Sequence, residues 1–152
     1  MHEQTEYVWD YPRPPVVVPC ERRVRVLLDG VVVAESTAAL RVLETASPPT
    51  VYVPPGDVAA GVLRPARGRS VCEWKGAASY WDVGRVASGA WSYPDPVPAY
   101  AELRDHLAFY PGRLECFLDD ERVRPQDGNF YGGWVTDEID GPFKGQPGSE
   151  GW

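Results

Sequence analysis

The sequence predicts a mainly β fold with one short α-helix. The 152-residue chain contains 15 Gly and 16 Pro, which favour turns and interrupt long helices. Most apolar residues occur in short β-rich runs, and two of these runs are separated by Asp29-Gly30, the signature of a hairpin with a type I′ turn. Helical periodicity is confined to residues 100–107, where Tyr100, Leu103 and Leu107 share one face. The length fits a single domain.

The first 21 residues are predicted to form an extended arm packed on the domain. Their proline density disfavours a helix, and we expect Tyr7, Trp9 and Tyr11 to hold the arm in place. Residues 22–144 then form one domain. Residues 145–152 contain too little apolar surface to offset the entropy of ordering them, so they are predicted to be a flexible tail.

The hairpins are the clearest local features. Residues 23–28 and 31–35 flank Asp29-Gly30, and residues 114–118 and 122–124 flank a second turn at Asp119-Asp120-Glu121. Between the hairpins the pattern predicts further strands and one loop rich in arginine. In chain order these are a turn and short strand over 37–44, a strand over 50–53, the basic loop over 65–69, two segments over 70–83 that break at Gly76, and a strand over 86–93.

Charge and cysteine usage exclude several classes of function. The formal net charge of −7 argues against a nucleic-acid binder, and neither a membrane span nor a secretory signal is recognisable. We therefore expect a cytoplasmic protein without membrane contact. Cys20, Cys72 and Cys116 form no C-x-x-C pair and only two histidines accompany them. The sequence predicts no metal site, no cofactor and three reduced cysteines.

Residues 72–81 carry the richest mixture of reactive and aromatic side chains. If this segment is a strand, Glu73 and Lys75 project from one face while Cys72 and Trp74 project from the other. A carboxylate beside an amine, with Tyr80 nearby, could act as an acid–base pair or orient a polar ligand. The alternative is a solvated ion pair, which contributes under about 1 kcal/mol.

Aromatic residues are abundant, with six Trp and eight Tyr. They are either core residues or the walls of a ligand pocket. The Gly132-Gly133 pair either permits a close backbone approach or simply a turn. The candidate ligand-binding residues are Trp74, Trp81, Trp91, Tyr93, Tyr131 and Trp134.

Several specific strings occur together and in order. They are Trp9-Asp-Tyr-Pro-Arg-Pro14, Arg41-Val-Leu-Glu-Thr45, Val53-Pro-Pro-Gly-Asp57, Cys72-Glu-Trp-Lys-Gly76 followed by Ala78 and Tyr80-Trp81, Ala90-Trp-Ser-Tyr-Pro-Asp-Pro96, Phe109-Tyr-Pro-Gly-Arg113 and Phe130-Tyr-Gly-Gly-Trp134. On these strings the chain resembles, over residues 7–144, the family catalogued as domain of unknown function 427, which also carries a nucleotidyltransferase label.

The resemblance implies a β-tent fold, in which two antiparallel sheets meet at an angle over a pocket. Methionine-R-sulfoxide reductases and the thalidomide-binding domain of cereblon are similar in this respect. Most such relatives hold zinc through two cysteine pairs, which this sequence lacks, so we expect the zinc site to be absent. Other relatives bind a small ligand in a cage of tryptophans.

Taken with the residues, the resemblance favours a small-molecule-binding domain with a Trp-lined pocket. One alternative is an enzyme that acts on a small polar metabolite through Glu73, Lys75 and Tyr80. Another is a protein-interaction module that uses the proline-rich arm. The expected partner is an unidentified small molecule, and the expected assembly is a monomer or weak homodimer.

Overall fold

The computed structural model of the protein describes residues 5–72, 75–126 and 132–141. Within these ranges strands dominate and helical segments are short, which confirms the predicted mainly β class. The predicted tail, residues 145–152, lies outside the described residues.

The described residues form fifteen strands and three 3₁₀ helices. In chain order the strands are β1 (Glu6–Tyr7), β2 (Val16–Pro19), β3 (Val24–Leu28), β4 (Val31–Ser36), β5 (Leu40–Glu44), β6 (Ser47–Tyr52), β7 (Leu63–Cys72), β8 (Gly76–Val83), β9 (Val86–Ser92), β10 (Ala108–Phe109), β11 (Glu115–Leu118), β12 (Glu121–Arg122), β13 (Arg124–Pro125), β14 (Trp134–Val135) and β15 (Ile139–Asp140). The 3₁₀ helices are Val8–Asp10, Pro55–Asp57 and Pro98–Leu103.

Two four-stranded antiparallel sheets are the largest units, as predicted. One has the strand order β10-β9-β8-β7 and the other has the order β12-β11-β3-β4. A three-stranded antiparallel sheet, β2-β5-β6, packs beside them, and two-stranded ladders join β13 to β14 and β1 to β15. The β1–β15 ladder is parallel and ties the start of the described chain to its end.

The two predicted hairpins are confirmed. β3 and β4 are joined by Asp29 and Gly30, whose φ angles of +53° and +82° match the left-handed backbone of a type I′ turn. β11 and β12 are joined by Asp119 and Asp120, so Glu121 is already the first residue of β12.

Gly30→Ala is expected to lower the free energy of unfolding by about 1 kcal/mol, because a side chain at φ +82° is strained even though the space beside Gly30 is open. Urea denaturation measures this change. Gly56→Ala is the control, since Gly56 also faces open space and its φ is not in the left-handed region. Equal effects at the two positions would contradict the turn assignment.

The helical segment near Tyr100 is shorter than predicted and has 3₁₀ rather than α geometry. It ends at Leu103, and Tyr100 itself has non-helical angles of φ −120° and ψ 26°. Beyond it, the backbone of Leu107 exchanges two hydrogen bonds of 2.8 Å with Val53. Pairing with another strand therefore removes Leu107 from the helix, although all three apolar residues of the predicted face are buried.

The predicted basic loop over residues 65–69 is wrong, because these residues belong to β7. Pro65 pairs with Trp81 and Arg69 pairs with Ser79. Between these two pairs the chain moves four residues along β7 but only two residues along β8. The loop-like composition is accommodated as a bulge. Pro65 is tolerated because β7 is an edge strand.

The N-terminal arm is attached to the β5–β6 turn region. Val8 is fully buried, and the Thr45 hydroxyl donates a 2.5 Å hydrogen bond to the Tyr11 carbonyl. Tyr7 and Trp9 were expected to help hold the arm, yet they are 52% and 45% exposed. Val8, Tyr11 and backbone hydrogen bonds therefore help to attach the arm.

Two hydrophobic cores lie on opposite faces of the β10-β9-β8-β7 sheet. The first core joins this sheet to β3, β4 and β11 through residues such as Val26, Ala90 and Phe109. The second joins the sheet to β5 and β6 and includes Val42 and Trp91. Alternate residues of β9 enter different cores, as the period of a strand requires.

Candidate functional site

An aromatic cluster occupies the second core. Tyr80 on β8 pairs in register with Trp91 on β9, so both side chains project from the same face of the sheet. Tyr52 on β6 approaches from the opposite side, with its ring centroid 6.1 Å from that of Trp91. The members of this aromatic cluster are Tyr52, Tyr80, Trp91, Tyr93, Tyr100 and Tyr110.

The tyrosine hydroxyls of the cluster have internal partners. The Tyr100 hydroxyl donates a 2.7 Å hydrogen bond to the carbonyl of Pro15. Burial raises the pKa of Tyr110 to about 12, and hydrogen bonding with Tyr80 acts in the same direction. Tyr110 therefore remains a neutral hydrogen-bonding group throughout the physiological pH range. Its ring also contacts Trp91, at a centroid distance of 4.6 Å.

Most aromatic residues of the cluster are buried. Trp91, Tyr93, Tyr100 and Tyr110 are each 6–8% exposed, and Tyr80 is half-buried. By contrast, Phe109 in the first core is completely buried. The second core is thus a buried aromatic cluster with the half-buried Tyr80 at its rim.

Gly132 brings backbone directly onto Trp91. A Cβ atom at Gly132 would lie 2.2 Å from Trp91 Cη2 and 2.6 Å from Cζ3, well inside van der Waals contact. The next residue, Gly133, donates its N–H to Gln126 Oε1 at 3.1 Å. Of the two interpretations of the glycine pair, the structure supports close approach, with Trp91 as the approached group.

Two predicted pocket residues lie in the first core instead. Trp81 follows Tyr80 on β8 and therefore projects from the opposite face, where its Nε1 donates a 2.9 Å hydrogen bond to the Ser92 hydroxyl. Trp134 is 1% exposed, and its Nε1 donates to the carbonyl of Phe109 at 3.1 Å. The structure thus separates Trp81 and Trp134 from Trp91 and Tyr93.

Three further predicted residues, Glu73, Trp74 and Tyr131, lie outside the described residues. The alternation assumed for Glu73 and Lys75 also needs correction at Lys75. β7 ends at Cys72 and β8 begins at Gly76, so Lys75 belongs to the turn and not to a strand. The prediction that the Lys75 side chain projects from the same strand face as Glu73 therefore does not apply.

Lys75 is buried although it lies in a turn. Its side chain is 7% exposed, and its carbonyl accepts a 2.9 Å hydrogen bond from the N–H of Val97. With the described residues, its ammonium group forms neither a hydrogen bond nor an ion pair. Tyr80, the other described member of the predicted acid–base set, interacts with Tyr110.

A charged cavity that sequence reasoning missed lies elsewhere, beside the N-terminal arm. It has a volume of about 480 Å³, and Arg22 and Arg41 form part of its wall. Arg41 Nη2 lies 2.7 Å from a carboxylate oxygen of Glu6. Burial alone would raise the pKa of Glu6, but hydrogen bonds from Arg41 and Tyr11 outweigh it and hold this pKa below its ordinary value.

Arg22 connects three acidic side chains at this cavity. Its guanidinium group lies 3.0 Å from Asp119, 3.1 Å from Glu121 and 3.1 Å from Glu138. It also donates a 2.9 Å hydrogen bond to the Leu118 carbonyl. These partners are about a hundred residues away in sequence, so no local pattern could have identified them.

Cys20 and Cys116 are buried free thiols. Burial raises the pKa of both, which makes their thiolate forms less accessible. In the described part of the chain, no group of three or more His, Cys, Asp or Glu side chains is arranged to hold a metal ion.

The helices of residues 5–72, 75–126 and 132–141 include none that is long and apolar enough to cross a membrane.

Comparison with known proteins identifies a matching family but no matching curated sequence. No curated protein sequence matches the chain. The sequence model of one family, Domain of unknown function (DUF427), matches residues 16–120, which is more than two thirds of the chain. The matched range contains β2 to β11 and all six residues of the aromatic cluster. The resemblance inferred from the sequence motifs is therefore confirmed, and the chain belongs to the DUF427 family.

Proposed function

We propose that this protein binds a small molecule against the rim of the aromatic cluster. The observation that carries the proposal is a cluster of buried aromatic residues with the half-buried Tyr80 at its rim. Aromatic rings that combine apolar area with polar hydroxyls are typical of ligand sites. In this proposal the protein is cytoplasmic, acts as a monomer or weak homodimer, and has an unidentified small molecule as its partner.

The proposed site differs from the sequence-based pocket in its walls. Trp91 and Tyr93 remain ligand-contacting residues, and Trp74 and Tyr131 are retained from the sequence prediction. Trp81 and Trp134 become supporting residues, because they pack into the first core on the other face of the sheet. The pocket is therefore proposed to be lined by tyrosines as much as by tryptophans.

Binding is proposed in preference to catalysis because the two described candidate catalytic residues lie on different elements. Lys75 lies in the turn before β8, whereas Tyr80 is the fifth residue of β8. The Tyr80 hydroxyl is engaged with Tyr110. Neither observation favours a shared acid–base role on one reacting atom.

The short name of the family, NTP_transf_9, suggests nucleotidyl transfer. Such an activity would need free carboxylates close together to hold Mg²⁺. The compact acidic group of this chain is Asp119, Asp120 and Glu121, and each of these residues forms an ion pair with Arg22 or Arg25. Because these carboxylates are engaged by arginines, they do not favour the transferase interpretation.

The proposal predicts that Tyr80→Leu weakens ligand binding by about tenfold, or ~1.4 kcal/mol, because Tyr80 is the most exposed ring of the cluster. A thermal-shift screen of the full chain against a metabolite library identifies ligands, and isothermal titration measures their affinity for each variant. Tyr7→Leu is the matched control, since Tyr7 is an exposed ring outside the cluster.

Ligands that bind wild type and Tyr80→Leu equally would contradict the proposed location. Recovery of the ligand after incubation separates the two functional classes. An unchanged ligand supports a binding protein, whereas a ligand converted by wild type supports the enzyme alternative.

A further inference from the structure

Lys75 is an unusual cation in this chain. Thirteen of the fifteen basic residues are arginines, and Lys75 and Lys144 are the two lysines. Lys75 is also the one charged residue among the described residues that is less than 9% exposed as a whole. A buried ammonium group without a counter-charge costs stability, so such groups are normally paired with an anion.

The described residues supply no such anion. Among the described residues, the Asp95 carboxylate is 93% exposed and lies 3.7 Å from Arg104, and Glu73 lies outside the described residues. Cation–π contacts in the described part involve Arg25, Arg113 and Arg122 and leave Lys75 out. Among the described residues, the one fully sealed side-chain nitrogen or oxygen without a partner is Arg25 Nε. Within this part of the chain, the Lys75 ammonium therefore has no anionic partner.

The turn that carries Lys75 adjoins the aromatic cluster. Ser79 pairs with Ser92, so the same register places Ala78 opposite Tyr93. Ala78 belongs to the second core and lies three residues after Lys75, about 10 Å along an extended chain. The segment after Tyr93 is held against the turn by the Val97–Lys75 hydrogen bond. A small molecule with one aromatic ring could span from the Tyr93 rim towards this turn.

From these observations we propose that the ligand of the aromatic cluster carries a carboxylate or phosphate group, and that the Lys75 ammonium binds this group. The inference rests on the proposed function and narrows it to anionic small molecules. A lysine suits the binding of such a group because its ammonium is a compact charge that can donate hydrogen bonds to an oxyanion in several directions.

The test uses the full chain labelled with ¹³C-lysine, in which only Lys75 and Lys144 give side-chain signals. Lys75→Met and Lys144→Met assign the two signals. Inorganic phosphate and acetate are titrated separately at constant ionic strength. We expect a saturable shift of the Lys75 ¹³Cε signal with at least one anion, and at most a small linear change for Lys144. The more effective anion indicates whether the ligand group is a phosphate or a carboxylate.

Thermal unfolding gives a second readout. Lys75→Met should melt at the wild-type temperature or slightly higher, because it removes a charge that has no counter-charge among the described residues. It should also lose the stabilisation by phosphate or acetate that wild type shows. Lys144→Met should retain that stabilisation. Equal, non-saturating shifts of both lysine signals would overturn the inference, as would anion stabilisation that persists in Lys75→Met.

The outcomes also separate this inference from the proposed function. If neutral aromatic ligands bind wild type and Lys75→Met equally but bind Tyr80→Leu weakly, the aromatic site stands and the anion inference fails. If Lys75 binds anions while Tyr80→Leu leaves the affinity of every ligand unchanged, the Lys75 site stands and the aromatic site fails.

Discussion

Gly132→Ala should lower the free energy of unfolding by about 3 kcal/mol, because overpacking a well-packed interior costs this much when neighbours cannot move. The added methyl would lie 2.2 Å from Trp91 Cη2. Trp91 cannot rotate away freely, since the rings of Tyr52 and Tyr110 contact it. Urea denaturation followed by tryptophan fluorescence measures the change.

Gly56→Ala is the control for this prediction, with an expected change within about 0.5 kcal/mol. The contact itself is tested by a double-mutant cycle with Trp91→Phe, which removes the second indole ring that carries both contacted atoms. Gly132→Ala should cost clearly less in the Trp91→Phe background. Additive effects in this cycle would mean that Trp91 is not the group that excludes a side chain at position 132.

The second large effect is expected for Arg22→Met, which should destabilise the protein by about 2 kcal/mol. This value lies between those of exposed and buried ion pairs, because the Arg22 side chain is only 15% exposed. The substitution leaves Glu138, whose side chain is 9% exposed, without its guanidinium partner. It also removes the donor to the Leu118 carbonyl. Urea denaturation at pH 7 gives the value.

Arg85→Met is the matched control, because Arg85 also forms a close ion pair, 2.8 Å from Asp29, but both side chains are more than 60% exposed. We expect it to change stability far less than Arg22→Met does. If the two variants behaved alike, burial would not be the source of the Arg22 effect.

The effect of Arg22→Met should also depend on pH. Hydrogen bonds from the Arg22 side chain and the Arg23 backbone hold the pKa of Asp119 below its ordinary value. Because the pKa of Asp119 is lower in the folded than in the unfolded protein, this stabilisation is complete above the unfolded pKa of about 4. It is lost as pH falls through the folded-state pKa. The difference between wild type and Arg22→Met should therefore narrow below about pH 4.

Local sequence patterns predicted the elements whose geometry is set by neighbouring residues. The Asp29-Gly30 turn is the clearest case, because left-handed backbone at two consecutive positions restricts the residue types that fit. β9 is another, since its β-rich run is bounded by Gly84 and Pro94. The family could also be identified, because its motifs are strings of consecutive residues.

Elements whose structure depends on pairing with residues distant in sequence were predicted less well. Residues 65–69 have the composition of a loop, but β8 offers them a ladder of hydrogen bonds and they form a bulged edge strand. Leu107 continues a helical period, but its backbone pairs with Val53. In both cases tertiary pairing outweighed a weak local preference.

In the candidate site, too, some features follow from the sequence and others depend on the tertiary structure. The sequence by itself determined the mainly β class, the family and the enrichment of aromatic residues around β8 and β9. Only the tertiary structure decided that Trp91 and Trp81 enter different cores, because the face a residue takes depends on strand register and on what packs there. It also decided that Lys75 is buried without a counter-charge among the described residues and that Arg22 joins three distant carboxylates. Burial and ion pairing depend on distances between residues far apart in the chain, and those distances exist only once the sheets have packed.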